Sequence, residues 1–352
     1  MFSNTTKTPL SQLGEFGLIK EISDIVELRN DSTIIGIGDD AAVIDYLDKQ
    51  ILITTDMLVE GVHFDLSYVP LAHLGYKAVA VNLSDICAMN GTPEQITVSL
   101  ALSNRFTVEM VKEIYKGINL ACKRYNVDLV GGDTVSSKSG LVISITAIGS
   151  AYSDEIVRRD TASANDIICL TGNIGGAYLG LLLLERENKI FQENPDLQPK
   201  LDGYNYILER QLKPEPRTDI VKKLKSLNIL PTSMIDVSDG LASEIMHLCI
   251  SADLGASIYD EKLPINQETV RMCEELNLDT TTSVINGGED YELLFTIKQD
   301  DYDKIKDIEE VSVIGYMSAK EEGINLITRS GSKHEIVAQG WDAFVNKKTN
   351  EL

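Results

Sequence analysis

The chain has 352 residues, of which 43% are hydrophobic and 24% are charged. This length favours two domains over one small domain, and the hydrophobic share is too high for a disordered chain. The 54 acidic residues outnumber the 32 basic residues, which gives a net charge of −22. Because affinity for nucleic-acid phosphates and anionic membranes comes mainly from Lys and Arg, we expect no nucleic-acid or membrane partner.

Cysteine spacing and apolar run length exclude further classes. The five cysteines form no Cys-x-x-Cys pair, and their odd number argues against a disulfide framework. No His cluster accompanies them, which argues against a thiolate zinc site. The first residues lack the basic and then apolar layout of a signal peptide, and no window approaches 18 consecutive apolar residues. We therefore expect a cytoplasmic protein.

Extended apolar runs alternate with helical patterns along the chain. Predicted helices cover residues 15–29, 70–90 and 107–125, follow residue 176 and cover 238–249, and predicted strands cover 51–57, 95–102, 127–130, 141–152, 167–170, 234–236, 256–259, 291–297 and 311–316. Residues 189–202 form a predicted polar loop. This alternation indicates an α/β (α+β) chain, with an N-terminal domain over 1–150 and a C-terminal domain over 151–352.

Six short motifs place acidic residues among Gly, Ser and Thr, and several follow predicted strands. They are Gly38-Asp39-Asp40, Thr54-Thr55-Asp56, Ser84-Asp85, Gly131-Gly132-Asp133-Thr134, Asp236-Val237-Ser238-Asp239-Gly240 and Gly287-Gly288-Glu289-Asp290. Each motif alone is also explained by a turn or a helix cap. Together they favour a ligand site, because clustered carboxylates repel one another unless a hard cation such as Mg²⁺ binds them, together with substrate phosphates.

Familiar nucleotide-binding motifs are absent from the sequence. There is no Gly-x-x-x-x-Gly-Lys-Ser/Thr loop and no protein-kinase catalytic motif. The segment Thr171 to Gly176 follows a predicted strand but does not have Gly-x-Gly-x-x-Gly spacing, so we interpret it as a structural turn. A Mg²⁺-dependent phosphate site at the acidic motifs is therefore the economical interpretation.

In their order along the chain, these motifs resemble those of thiamine-monophosphate kinases, in the superfamily of aminoimidazole ribonucleotide synthetases. The resemblance covers nearly the whole chain and rests on residues 14–19, 36–43, 54–64, 76–85, 131–134, 236–240 and 287–293. It implies a two-domain fold with mixed sheets flanked by helices, and a homodimer whose N-terminal sheets pack together. It also implies that ATP and thiamine monophosphate react, with several Mg²⁺ ions, to give ADP and thiamine diphosphate.

The resemblance also implies a role for individual residues. The implied Mg²⁺ ligands are Asp40, Thr54, Thr55, Asp56, Asp85, Asp133, Asp236 and Asp239. The implied ATP contacts are Gly132, Asp133, Arg159 and Ser238, and the implied thiamine-phosphate contacts are His63, Glu289 and Trp341. His63 could instead hold a loop, Arg158 could replace Arg159 at the phosphates, and Trp341 could pack in the core rather than stack on the thiazolium ring.

The chemistry of the two substrates agrees with this set of residues. The acceptor is already a phosphate oxyanion, so we expect direct in-line transfer, without a strong general base or a covalent intermediate. One alternative is a superfamily enzyme with another acceptor, such as selenophosphate synthetase or a hydrogenase maturation factor. No cysteine precedes Gly36, which argues against a selenium enzyme. The second alternative is a non-catalytic sensor, which would lose acceptor residues such as His63.

Overall fold

The computed structural model describes residues 33–35, 39, 42–46 and 48–339. The helix predicted at 15–29 and the predicted site residues Asp40 and Trp341 lie outside the described residues. Within the described part of the chain, no helix is both long enough and apolar enough to cross a membrane.

The first sheet has six strands in the spatial order β1-β2-β3-β6-β4-β5. The strands are β1 Thr33–Ile35, β2 Ala42–Tyr46, β3 Lys49–Val59, β4 Thr92–Leu102, β5 Asp128–Ser136 and β6 Leu141–Ala151. The β4–β5 pair is parallel and the other pairs are antiparallel. Side chains of β3, β4 and β6 alternate between buried and more exposed positions, because successive residues of a strand face opposite sides.

Two long helices cover one face of this sheet, α1 Leu71–Ala88 and α2 Val108–Tyr125. The Thr107 hydroxyl accepts a hydrogen bond from the Met110 N–H at 3.4 Å, as expected for an N-cap residue. The helices approach closely at a glycine on each, because a Cβ on Gly117 would lie 1.8 Å from the Ala72 carbonyl oxygen. This close contact fixes α1 against α2.

The second sheet has seven strands in the order β13-β12-β9-β11-β7-β10-β8. The strands are β7 Ile167–Thr171, β8 Ser233–Asp236, β9 Gly255–Tyr259, β10 Leu293–Ile297, β11 Val311–Ser318, β12 Ile324–Ile327 and β13 Lys333–Glu335. The helices of this part are α3 Gly176–Glu193, α4 Asn205–Leu212, α5 Thr218–Ser226, α6 Leu241–Ala252, α7 Gln267–Glu275, α8 Thr280–Asn286 and α9 Tyr302–Ile305. Short 3-10 turns lie at Asp260–Lys262, Gln299–Asp301 and Lys320–Glu322.

Helix α1 lies between the two sheets and contributes to both cores. Leu83 and Ile86 pack in the core of the first sheet, whereas Cys87 and Ala88 pack with Phe295 of the second. The two mixed sheets flanked by helices confirm the predicted fold class. The domain boundary near residue 150 stays a prediction.

The structure corrects the extent of two predicted elements. Strand β5 continues to Ser136, beyond the predicted 127–130, because it pairs with β4 as far as Leu102. Helix α3 continues to Glu193, so the polar loop begins at 194 rather than at 189.

Candidate functional site

The first group of predicted ligands lies where β3 meets α1. The Thr54 hydroxyl donates to Asp85 Oδ2 at 2.5 Å, and the Asp56 N–H donates to Asn82 Oδ1 at 2.9 Å. Thr54 and Asp56 share the α1 side of the sheet because they are two residues apart on one strand. The structure therefore brings Thr54, Asp56 and Asp85 together.

A second contact joins α1 to the other sheet. Asp236 ends β8, is 2% exposed, and accepts a 2.7 Å hydrogen bond from the Ser84 hydroxyl. Ser84 and Asp85 are consecutive on α1. This turn of the helix therefore contacts the first sheet at Thr54, through Asp85, and the second sheet at Asp236, through Ser84. Helix α1 thus brings the acidic motifs of the two halves close together.

The loop after β8 and the loop before β10 contact each other at the same place, and together they are called the crossing loops. Their strands pair with Leu293 opposite Asp236, so the loops emerge side by side. The Glu289 N–H donates to the Ser238 carbonyl oxygen at 2.7 Å, and the Tyr291 N–H donates to the Val237 carbonyl oxygen at 2.8 Å. The structure therefore places Glu289 beside Ser238, although 50 residues separate them in the sequence.

The loop that carries Glu289 has an unusual backbone. Glu289 and Tyr291 have φ of +67° and +52°, a left-handed conformation that costs a non-glycine residue about 1–2 kcal/mol. Between them, the buried Asp290 carboxylate accepts hydrogen bonds from the N–H groups of Gly175 and Ala177, at 2.5 and 3.1 Å. Asp290 therefore caps α3, which agrees with the structural-turn interpretation of residues 171–176.

A buried network of ion pairs and hydrogen bonds holds the same loop in place at Glu292. Glu292, 1% exposed, receives Arg210 Nη1 at 2.9 Å, Arg217 Nη1 at 2.7 Å and the Thr171 hydroxyl at 2.5 Å. Arg210 Nη2 also donates to the Asp290 carbonyl oxygen at 2.7 Å. Sequence reasoning did not single out these arginines, because two Arg beside a Pro-rich connection give no motif.

The buried Tyr291 side chain reports where the carboxylates converge. Its pKa is raised by burial first, and then by the negative charges of Glu289, Asp56, Asp236 and Asp239. Those four carboxylates belong to β3, to the last residue of β8 and to the two loops. The predicted metal and acceptor residues of the two halves therefore surround one common region.

Glu244 is a further buried carboxyl group at this site, which the sequence analysis missed. It lies in the first turn of α6, is 3% exposed, and its Oε1 accepts the Asp239 N–H at 2.9 Å. Burial, then the charge of Asp239, raises its pKa well above the usual range. Its position five residues after Asp239, inside the helix predicted over 238–249, is the sequence signal that could have revealed it.

The carboxylates of Asp56, Asp85, Asp236 and Asp239, here called the acidic group, could hold Mg²⁺ only together with other ligands. Among the residues that the structure describes, no three His, Cys, Asp or Glu side chains approach closely enough to hold a metal ion by themselves. Mg²⁺ characteristically uses one or two protein carboxylates, and it completes its shell with water and substrate phosphates. The paired oxygens of Thr54 and Asp85, and the carboxylates around Tyr291, fit that requirement.

Three predicted ligands lie elsewhere within the single chain. The Thr55 hydroxyl donates to the Ile145 carbonyl oxygen at 2.9 Å, on the face of β3 opposite Thr54. Gly132 and Asp133 are exposed on β5. Gly132 is three strands from Asp56 across the sheet, a separation of about 14 Å at the usual strand spacing. The structure does not bring these three residues to the acidic group.

The two candidate arginines differ in their surroundings. Arg159 Nε lies 3.4 Å from Asp39 Oδ1, in the Gly38-Asp39-Asp40 motif, and the Arg159 side chain is 20% exposed. Arg158 pairs instead with its neighbour Asp160, and its side chain is 40% exposed. The geometry favours Arg159 as the arginine of the site.

One predicted acceptor residue, His63, lines a small cavity beside α1. His63 Nδ1 accepts the Val59 N–H at 3.0 Å, so it holds a loop and also lines this cavity. The Glu289 carboxylate reaches Lys77 Nζ and Gln211 Nε2, each at 2.9 Å. The residues that line the cavity are Leu58, His63, Phe64, Tyr68, Val69, Leu74, Lys77, Leu181, Gln211 and Leu212.

The N-terminal part of the chain matches a described family, and nearly the whole chain is similar to curated enzymes of one name. A family model described as AIR synthase related protein, N-terminal domain, matches residues 38–151. Thiamine-monophosphate kinase of Bacillus subtilis (strain 168) is 34% identical over 343 residues, which cover 94% of this chain and 100% of that protein. The enzyme of the same name from Aquifex aeolicus (strain VF5) is 34% identical and covers 95% and 99%.

Solved structures agree with this relationship. One described as AaThiL complexed with AMPPCP and TMP has a TM-score of 0.81 at 32% identity, covering 96% of this chain and 99% of that one. A HypE–HypF complex, at 21% identity and a TM-score of 0.70 over 91% of this chain and 99% of that one, shares the fold. The chain belongs to the thiamine-monophosphate kinase family.

Proposed function

We propose that this protein transfers the terminal phosphoryl group of ATP to thiamine monophosphate, giving ADP and thiamine diphosphate. The observation that carries this proposal is the contact between the loop after β8 and the loop before β10, where the Glu289 N–H donates to the Ser238 carbonyl oxygen at 2.7 Å. That contact joins the predicted acceptor side to the predicted nucleotide side. A relative of the same fold, AaThiL, is described in complex with AMPPCP and TMP, which supports both substrates.

Several Mg²⁺ ions are part of the proposal. Thr54, Asp56, Asp85, Asp236 and Asp239 would hold them, and the resemblance adds Asp40, Thr55 and Asp133. When bound, Mg²⁺ neutralises the negative charge of the phosphates and the charge that develops on the transferred group. The chain's own contribution is to fix the carboxylates, through Thr54, Ser84 and the crossing loops.

The substrate contacts follow from the same geometry. Arg159 and Ser238 would bind ATP, together with Gly132 and Asp133, and a guanidinium group suits phosphate oxygens. His63 and Glu289 would bind the thiamine phosphate beside the cavity, and Trp341 would stack on its thiazolium ring, as the resemblance implies. The acceptor's own phosphate oxygen is the nucleophile, so positioning and charge neutralisation suffice for direct transfer.

We further propose that the protein acts as a homodimer in the cytoplasm. Strand β5 is an edge of the first sheet and is exposed along its whole length, including Val130 at 57% and Val135 at 52%. An exposed apolar edge strand invites pairing with another chain. A second copy at this edge would cover those side chains, in agreement with the packing of N-terminal sheets that the resemblance implies.

An ADP-release assay tests the reaction. Thiamine monophosphate is supplied as acceptor with and without Mg²⁺, free thiamine serves as the control acceptor, and the product is identified by mass. We expect Mg²⁺-dependent turnover with the monophosphate alone, and thiamine diphosphate as product. If the protein binds ATP but releases no ADP with the monophosphate, another acceptor would be favoured. The roles given to His63 and Trp341 would then be withdrawn.

A further inference from the structure

Lys77 is a buried lysine that directly contacts a predicted substrate residue. It is 5% exposed on α1, and its Nζ lies 2.9 Å from Glu289 Oε1 and 3.2 Å from the Gln211 carbonyl oxygen. Burying an ammonium group is costly unless it is paired, so this pair has a defined geometry. Ser84, seven residues later and on the same helix face, contacts Asp236. Lys77 therefore belongs to the face of α1 that meets the crossing loops.

Gln211 contacts the second oxygen of the Glu289 carboxylate. Its Nε2 donates to Glu289 Oε2 at 2.9 Å, while its main-chain oxygen accepts from Lys77. A carboxylate oxygen only accepts hydrogen bonds, so the amide nitrogen must be the group that faces Glu289. Both oxygens of the Glu289 carboxylate are consequently fixed, one by each partner.

The Lys77 ammonium group also balances negative charge at this place. The carboxylates of Glu289, Asp56, Asp236 and Asp239 all act on the buried Tyr291, so the four lie within electrostatic range of one side chain. Like charges at short range repel, and the repulsion is strong where water is scarce. The Lys77 ammonium group offsets this repulsion at the one carboxylate assigned to the acceptor.

We propose that Lys77 is a positioning residue, which holds the Glu289 carboxylate in place for the acceptor substrate, with Gln211 as its partner in this role. Lys77 and Gln211 also line the small cavity that His63 lines, so the two residues that hold Glu289 lie close to another residue assigned to the acceptor. This inference rests on the proposed function, because the reaction supplies the acceptor that Glu289 would bind.

The test is steady-state kinetics with each substrate varied in turn. For Lys77→Met we expect the KM for thiamine monophosphate to rise about ten- to a hundredfold, the range for losing a hydrogen bond to a charged group. The KM for ATP should change less than about threefold. Lys225→Met is the matched control, because Lys225 makes a 2.9 Å ion pair with Glu155 in a more exposed position. Its KM for the acceptor should equal that of the wild type.

A double-mutant cycle separates positioning from direct contact with the substrate. In a Glu289→Gln background, the further change Lys77→Met should raise the acceptor KM by less than about twofold. An undiminished effect in that background would overturn the proposal, since Lys77 would then act without Glu289.

Gln211→Leu keeps the inference testable if Lys77→Met does not fold. It removes one neutral donor to Glu289 and should raise the acceptor KM about three- to tenfold, with the KM for ATP unchanged. An unchanged acceptor KM in this variant would overturn the inference. A wild-type protein that does not turn over thiamine monophosphate would overturn the proposed function as well, whereas active wild type with unaffected variants overturns only the positioning role.

Discussion

The backbone N–H of Glu289 donates a 2.7 Å hydrogen bond to the carbonyl oxygen of Ser238. Ser238 lies in the loop that follows β8 and Glu289 in the loop that precedes β10, so the pairing of these strands and the backbone hydrogen bonds between the loops set the distance between the two residues. In-line phosphoryl transfer needs donor and acceptor at a fixed spacing. A backbone contact between the loops assigned to each substrate provides that spacing.

Removing the charge of Asp236 should impair the reaction and not the fold. In Asp236→Asn, an amide oxygen can still accept the Ser84 hydroxyl, but one anionic ligand for Mg²⁺ is lost. We expect turnover to fall by about a hundredfold or more, in the range seen when one charge-stabilising group is removed from an active site. The Mg²⁺ concentration for half-maximal rate should rise.

The same measurement on Asp56→Asn tests the first sheet's contribution. Asp253→Asn is the control, because Asp253 is an exposed residue that pairs with Lys320 at the end of α6. Rates measured across a Mg²⁺ titration should leave the control unchanged. Near-normal turnover of Asp56→Asn or Asp236→Asn at limiting Mg²⁺ would show that the assignment is wrong.

The two neighbouring arginines should differ in their effect on ATP. Arg159 is directed towards Asp39, whereas Arg158 is paired with Asp160. We expect Arg159→Gln to raise the KM for ATP about tenfold or more, because a charged hydrogen bond to phosphate is lost. Arg158→Gln should stay within about twofold. A larger effect at Arg158 would reverse the assignment.

How much of this site the sequence predicts depends on how far apart its residues lie along the chain. Thr54, Asp56 and Asp85 were predictable as neighbours of a strand and the helix that follows it. Thr55 was assigned with them, although consecutive strand residues face opposite sides, and its hydroxyl indeed bonds Ile145 on the other face. That alternation was readable from the sequence alone.

Contacts between distant segments were not readable. Glu289 meets Ser238 only because β8 and β10 pair, and strand pairing across more than 50 residues leaves no local pattern. Lys77 gave a weaker signal, as a lysine inside an apolar helical run. Such a lysine must find a buried partner, but the identity of that partner depends on the tertiary fold.

A charge on β5 should separate the proposed dimer. Val130 is 57% exposed on the edge strand. If two chains pair at this edge, Val130→Asp would bury a carboxylate without a partner in the dimer interface. We expect the wild type to have the mass of two chains by light scattering, and the variant that of one. Val108→Asp, at a position 65% exposed in α2, should leave the dimer intact. A wild type with the mass of one chain would contradict the proposal.

Acid should destabilise the protein partly through His247. Burial first, and then the positive charge of Arg159, lower the pKa of His247 to about 4. The unfolded chain has a histidine pKa near 6.5, so between pH 6.5 and 4 it binds more protons than the folded chain does. Stability from the neutral imidazole is therefore present above about pH 6.5 and is lost as the pH falls towards 4.

The loss is about 3.5 kcal/mol at most, since each unit of pKa difference corresponds to about 1.4 kcal/mol. Denaturant unfolding of the wild type and of His247→Gln between pH 4 and pH 7 measures it. The free energy of unfolding should fall more steeply with acid in the wild type, because carboxyl titration is common to both proteins and cancels in the difference. Parallel pH profiles would mean that His247 is protonated as easily in the folded chain as in the unfolded one.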